Sequence, residues 1–118
     1  MIKVLTLMNN LMDEMGLPYT FDRWDTELEL PHFIGEISEV PTVDEDGENE
    51  YSFILTGFAM NYGYLLGVAD NFKKRFKTSE IIDGIVVKYN NTTIVSGDRD
   101  ELKQVQVNFT IREWSVID

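Results

Sequence analysis

Cysteine is absent from this 118-residue chain, and histidine and proline are scarce, with one and three copies. Without cysteine the chain has no disulfide scaffold, zinc ribbon, redox CxxC pair or cysteine nucleophile. No apolar run approaches the roughly 18 residues that span a bilayer. The N-terminal residues lack the basic and apolar pattern of a signal peptide. We therefore expect a single domain, residues 1–118, with no membrane segment.

Basic residues are also few: 10 lysines and arginines stand against 21 aspartates and glutamates, a net charge of −11. The imbalance lies in one half of the chain. Residues 1–60 contain 2 basic and 13 acidic residues, whereas residues 61–118 contain 8 of each. Proteins bind nucleic acid phosphates through Lys and Arg, with release of counterions. Because this chain has few basic residues, we do not expect it to bind DNA tightly.

Two segments show the three- and four-residue apolar spacing of amphipathic helices. The first is Ile2–Met15, which Gly16 can end in a left-handed C-cap and Pro18 cannot continue. The second is Tyr62–Phe76, whose last turn is basic. Positive charge there interacts favourably with the helix dipole, so we interpret the basic cluster at 73–77 as helix stabilisation rather than a nucleic-acid site.

Two strands are predicted between these helices, Phe33–Val40 and Tyr51–Ala59, and an additional short strand around Tyr19–Phe21 before them stays open. The segment between the two longer strands is strongly acidic and contains Asp46-Gly47, a dipeptide typical of hairpin turns. We expect an antiparallel hairpin with a long acidic tip.

Three strands are predicted after the second helix. Ile85–Tyr89 and Thr92–Val95 flank Asn90-Asn91, a pair that suits a tight turn. The last strand, Leu102–Ile117, is far longer than the common five or six residues. Its length indicates that its C-terminal half projects beyond the domain and meets a neighbour.

The last strand alternates between an apolar and a polar side. The apolar side chains are those of Val105, Val107, Phe109 and Ile111, and the polar ones are those of Gln104, Gln106, Asn108, Thr110 and Arg112. The alternation breaks at Trp114 and Val116. Either a bulge shifts the register near Glu113, or these two side chains point outward.

The element order α-β-β-α-β-β-β predicts an α+β fold. We expect a single mostly antiparallel sheet of about five strands, with the two helices packed on one face.

The chain offers little catalytic material. Aligning Gly47 with the EF-hand glycine puts Thr42 and Phe53 at the first and last ligand positions, so the calcium pattern fails at both ends. The single histidine, His32, has no second ligand at metal-binding spacing and is interpreted as structural. Nucleophile elbows and phosphate-binding glycine loops are absent, and no pair among the acidic residues stands out. We expect no enzyme, no metal and no cofactor.

An interaction surface is the remaining candidate. Tryptophan anchors both cores and interfaces. Trp114 lies where the alternation of the last strand breaks, and this position favours an interface role. The acidic hairpin tip can contact a basic partner or repel DNA. The candidate residues are Asp44, Glu45, Asp46, Glu48, Glu50, Trp114 and Val116.

Several stretches together resemble a family of small proteins from the structural-gene clusters of phages and prophages of Gram-positive bacteria. The resemblance covers nearly the whole chain. Family members usually carry an aromatic residue where His32 stands, which argues against a functional role for this histidine. The matching stretches are Leu17–Trp24, Leu30–Glu36, Glu45–Gly47, Phe53–Phe58, Glu101–Phe109 and Glu113-Trp114.

Size and element order resemble the tail terminator and head–tail joining proteins of long-tailed phages. The resemblance implies a subunit that assembles into a ring, with a hexamer favoured, which caps the tail tube and docks it to the head connector. It implies contacts with the tail tube protein and the head connector protein, passage of DNA without specific binding, and no catalysis, cofactor or membrane. The expected location is the virion, assembled in the cytoplasm of the bacterial host.

Two other interpretations stay open. One is a different head–tail connector adaptor or a tail-completion protein of the same gene cluster. The other is an acidic DNA-mimic binding module, which the charge of −11 suggests. Within the ring interpretation, the acidic tip either lines the lumen or forms an axial docking surface.

Overall fold

A computed structural model of the chain describes residues 1–22, 29–41, 48–95 and 102–114, with Glu48 and Trp114 described by their backbone alone. These residues form two helices and one mixed sheet of six strands, in the order β1-β2-β3-β6-β5-β4. The prediction of an α+β fold with a single sheet and two helices is therefore confirmed. In chain order the elements are α1 (Ile2–Glu14), β1 (Tyr19–Phe21), β2 (His32–Val40), β3 (Glu48–Ala59), α2 (Tyr62–Phe76), β4 (Glu80–Ile82), β5 (Ile85–Val95) and β6 (Lys103–Trp114).

Helix α1 ends as its sequence predicts. Gly16 has a φ of 69°, which glycine adopts without a steric cost. The amide groups of Gly16 and Leu17 donate hydrogen bonds of 3.0 Å to the carbonyl oxygens of Asp13 and Met12. These two bonds form a Schellman motif, so the last carbonyl groups of the helix are satisfied before the chain turns into β1.

Helix α2 is fixed at both ends. The Asn61 side chain accepts a hydrogen bond of 3.0 Å from the backbone amide of Tyr64 and so caps the helix start. At the other end, the Arg75 guanidinium lies 3.2 Å from Glu80 of β4 and 3.6 Å from Glu14 of α1. Arg75 therefore links the ends of both helices to the edge of the sheet.

The central strands of the sheet are antiparallel, and only β1 runs parallel to its neighbour. Strands β2 and β3 pair from His32 opposite Phe58 to Val40 opposite Glu50, so the predicted hairpin strands are confirmed. The predicted acidic tip, residues 42–47, lies outside the described residues. Strand β3 pairs with β6 along its whole length.

The core lies on one face of this sheet, and Phe109 of β6 is at its centre. The Phe109 ring contacts Phe72 and Phe76 of α2, with ring centroids 5.3 and 6.1 Å away, and also Phe53 and Tyr89 of the neighbouring strands. The buried side chains of both helices belong to the same apolar cluster as those of the sheet. The alternation predicted for the last strand is confirmed, since Val105, Val107, Phe109 and Ile111 are all buried.

The predicted turn at Asn90-Asn91 is wrong. Strand β5 runs without interruption from Ile85 to Val95, and the register against β6 shifts between Tyr89 and Asn91. Neither asparagine has positive φ. The extra residue is absorbed as a β-bulge, an alternative to a turn that asparagine also tolerates.

The sequence analysis also missed β4, which pairs with β5 through a two-residue turn at Asp83-Gly84. Both turn residues have positive φ, 51° and 79°, as in a type I′ hairpin turn. The sheet therefore has six strands: the short strand considered around Tyr19–Phe21 is present as β1, β4 is added, and two predicted strands form one.

The prediction that the last strand projects from the sheet is wrong for the described residues. Glu113 pairs with Asn49 of β3 on one side and with Ile85 of β5 on the other. The β3–β6 register continues without a shift to Trp114, so the bulge considered near Glu113 is not found there.

Two glycines provide a test of the packing between the sheet and α2. A Cβ atom at Gly57 would lie 2.6 Å from the Phe33 ring and 2.8 Å from Leu65, whereas one at Gly67 of α2 would meet nothing within 4 Å. We predict that Gly57→Ala lowers the free energy of unfolding by about 1–3 kcal/mol through overpacking. The matched change Gly67→Ala raises it by up to about 1 kcal/mol through helix propensity. Urea denaturation measures both, and a neutral Gly57→Ala would contradict this packing.

Candidate interaction surface

The acidic surface predicted from the sequence can be followed only in part. Asp44, Glu45, Asp46 and Val116 lie outside the described residues, and Glu48 is placed by its backbone in β3. The backbone of Trp114 lies in β6, opposite Glu48. An interface role for these residues stays a prediction.

Glu50 is the candidate whose side chain is described. Its Oε1 atom lies 3.2 Å from Nε of Arg112 on the neighbouring strand β6. The Arg112 side chain is half exposed, so solvent screens this pair and its contribution to stability is small. Its main effect is on the surface charge, because the arginine offsets the Glu50 carboxylate.

A second group of carboxylates lies at the same end of the sheet. The Tyr51 hydroxyl donates a 3.5 Å hydrogen bond to Oε1 of Glu113, and the amino group of Met1 lies 3.5 Å from the same oxygen. Burial, and then the negative charges of Glu113 and Glu39, raise the pKa of Tyr51. Carboxylates from β2, β3 and β6 thus gather at the end of the sheet where the acidic hairpin tip begins.

The sheet face opposite the core, called the outer face below, is polar along β6, whereas β2 and β3 add apolar side chains to it, among them Ile34, Ile54 and Phe58. The Asn90 amide donates a 2.7 Å hydrogen bond to Thr110, and the Asn108 amide donates one of 2.7 Å to Asn91. Every buried side chain of α1 and α2 belongs to the core cluster on the other side. The β6 residues of the outer face are Gln104, Gln106, Asn108, Thr110 and Arg112.

A shallow basin of about 220 Å³ lies on this outer face. Glu50, Lys88 and Arg112 contribute charged groups to it, and Asn90 and Thr110 contribute an amide and a hydroxyl. The basin therefore combines one carboxylate with two cations and neutral polar groups.

His32 is buried, as its structural interpretation predicts, with 5% of its surface exposed. Its Nε2 atom and the Thr20 hydroxyl are 2.9 Å apart and share a hydrogen bond between β1 and β2. Burial lowers the pKa of His32. Among the described residues, no group of three or more histidine, aspartate or glutamate side chains could hold a metal ion.

The basic residues at the end of α2 have different surroundings. Arg75 is held by two carboxylates and lies over the Phe76 ring, 5.1 Å from its centroid. Lys73, Lys74 and Lys77 are exposed. This arrangement agrees with helix stabilisation at the C-terminal end.

The sheet has two edges, of which the sequence analysis missed the one formed by β4. Strands β1 and β4 are the edge strands, and each has only three residues. The dipeptide Asp83-Gly84 between two apolar pairs was the signal that could have revealed β4. Three exposed apolar side chains mark these edges: Phe21, Ile81 and Ile94.

Comparison with known proteins gives no family: no protein-family model matches the chain, and a search of curated proteins finds no match. Within the described residues, neither helix is long and apolar enough to cross a bilayer.

The environment of His32 predicts a pH dependence of stability. Because its pKa is lowered in the folded state, the unfolded chain binds the proton first as the pH falls through about 6.5. The free energy of unfolding should therefore be highest above that pH, where His32 is neutral in both states. Below it, the free energy of unfolding should decrease by at most about 1.4 kcal/mol per pH unit. In His32→Gln this slope between about pH 6.5 and 5.5 should disappear, as measured by urea denaturation at each pH. If the variant keeps the same slope, the pH dependence comes from other titrating groups and not from His32.

Proposed function

We propose that the chain is a structural protein of a phage virion, a tail terminator or head–tail joining subunit. In this role, copies of the chain form a ring, with a hexamer favoured, between the tail tube protein and the head connector protein. The ring is assembled in the cytoplasm of the bacterial host and remains in the virion. The role requires no catalytic group, cofactor or membrane, and DNA passes through without specific binding.

The observation that carries the proposal is the difference between the two faces of the sheet. One face is covered by the apolar cluster that contains the buried side chains of both helices. The other presents amides and hydroxyls along β6, with Arg112 offset by Glu50. DNA binds where lysines and arginines release counterions from its phosphates, and among the described residues β5 and β6 bring only Lys88 and the Glu50-paired Arg112 to this face, which gives little of this affinity.

The charge distribution supports the same role. The N-terminal half has a net charge of −11 and the C-terminal half is neutral. Unlike surfaces on one subunit suit the head-to-tail contacts of a cyclic ring. The carboxylates at the hairpin end of the sheet would repel a DNA phosphate backbone if they faced a lumen. They would attract a basic partner if they faced along the ring axis.

Deletion of the gene from a phage or prophage that carries it tests the role directly. We predict that heads and tails form but do not join, and that expression of the chain in trans restores joining. Immunogold labelling with electron microscopy should place the chain at the head–tail junction. Normal joined particles without the chain would overturn the proposal.

The acidic tip is tested by removing its charge. In a variant with Asp44, Asp46→Asn and Glu45, Glu48, Glu50→Gln, we predict that head–tail joining falls at least tenfold, measured as infectious particles per physical particle. A matched control removes five exposed carboxylates elsewhere and should join normally: Asp13, Asp22, Asp70, Asp83→Asn and Glu29→Gln. Equal joining by the two variants would count heavily against a role for the tip.

The net charge of −11 favours one second candidate, an acidic module that mimics DNA and binds a basic host protein. The two roles differ in solution: the mimic acts as a monomer whose complex dissociates in salt, whereas the virion subunit forms a ring that survives salt. Within the virion class, images of the purified chain mixed with tubes and with heads distinguish a terminator from a connector adaptor by the end that it occupies.

A further inference from the structure

The sheet has two incompletely paired edges. Strand β1 pairs with Phe33–Gly35, so among residues 1–22, 29–41, 48–95 and 102–114 β2 has no partner on that side over Glu36–Val40. Strand β4 pairs only with Ile85–Val87, so β5 has no second partner over Lys88–Val95 within the described residues. Unpaired backbone amides and carbonyls of this kind can pair with another strand.

The two edges are staggered in a complementary way. Following the register across the sheet, β1 lies level with Thr92–Ile94, where β5 lacks a partner. Strand β4 in turn includes Glu80 and Ile81, which are level with Glu39 and Val40, where β2 lacks a partner. Each edge strand therefore lies at the height of the gap on the opposite edge.

We propose that two copies of the chain join edge to edge. One strand position then lies between β5 of one copy and β2 of the next, and it is filled end to end by β4 of the first copy and β1 of the second. This inference rests on the ring assembly of the proposed function and names its subunit contact. Strand β5 runs opposite to β2 in the sheet order. A neighbour that continues the sheet thus places β1 antiparallel to β5, and β4 parallel to β2.

The exposed apolar side chains of the edges fit this arrangement. Phe21 is 39% exposed and Ile94 is 53% exposed, and both project to the core side of the sheet at neighbouring heights. Ile81, 71% exposed, projects to the outer face at the height of Val40. Docking would place Phe21 diagonally across from Ile94 and Ile81 directly beside Val40, so that each edge covers part of the other's apolar surface.

The charges of the two edges are also complementary. Glu36 of β2 is exposed on the outer face at the height of Asn91, and Lys88 of β5 is exposed on the same face at the height of Ser38. In the docked pair these two side chains flank the space between β4 of one copy and β1 of the next. The strands that carry them are about 10 Å apart there, two strand spacings, a gap that long side chains can bridge.

Such a contact is head to tail, because it joins two different edges. Repetition of a head-to-tail contact gives a closed ring if the rotation closes, and a filament if it does not. All copies keep their helices on the same side, so the outer face becomes one continuous surface of the assembly. In the proposed function, DNA passes over this surface.

The absence of cysteine from the chain makes the contact testable by disulfide formation. Within one copy, Val40 and Ile81 are four strand spacings apart, roughly 19 Å, too far for a disulfide. In the docked pair they lie on adjacent strands. We predict that Val40→Cys/Ile81→Cys gives a ladder of covalent multimers on a non-reducing gel, both in solution and in particles. The control Val40→Cys/Gln106→Cys, with its second cysteine on the central strand, should give none.

A charge exchange tests the contact independently. Glu36→Lys and Lys88→Glu alone should each weaken self-association by about two- to fivefold, and the double exchange should restore it, as measured by analytical ultracentrifugation. A ring at the head–tail junction with no Val40–Ile81 disulfide would overturn the edge contact and leave the proposed function intact. A ladder from a protein that is absent from virions would support the contact and overturn the function. A chain that stays monomeric and uncrosslinked at all concentrations and in particles would overturn the contact.

Discussion

The packing of helix α2 on Phe109 is the interaction on which the rest of the structure depends. Strand β6 lies between β3 and β5, and the Phe109 ring meets Phe72 and Phe76 of α2 edge-on, at 5.3 and 6.1 Å between centroids. Such contacts combine a large buried apolar area with favourable ring geometry. They fix the apolar side of β6 against the helix, and strict alternation along the strand then sends its amides and hydroxyls to the outer face.

Local pattern was enough to predict the parts of the fold that this packing uses. The bounds of α2, the end of α1 at Gly16 and the two sides of β6 were predicted, because each depends on spacing or capping within one segment. Asn90-Asn91 could not be resolved in this way. A turn and a bulge both suit asparagine, and the choice is made by β6, which offers a continuous partner on one side of β5.

The candidate surface was predictable in its chemistry but not in its pairing. The sequence identifies Glu50 as part of an acidic segment, but its partner Arg112 lies 62 residues away and is adjacent only through the β3–β6 register. The edge formed by β4 was missed for a related reason. A three-residue strand such as β4 is too short for an alternation pattern, and its turn at Asp83-Gly84 is the signal that remains.

Exposed sheet edges normally invite uncontrolled pairing, and this sheet carries several features that restrict it. The edge strands have three residues each, β5 is bulged at Asn90, and Lys88 and Glu36 place charges beside the unpaired backbone. Each feature disfavours a long, flat contact between identical edges. A contact in which β1 fills the gap beside β5, and β4 fills the gap beside β2, is compatible with all of these features. The same devices that prevent aggregation would therefore select one partner edge and one register, which is what a subunit of a closed ring requires.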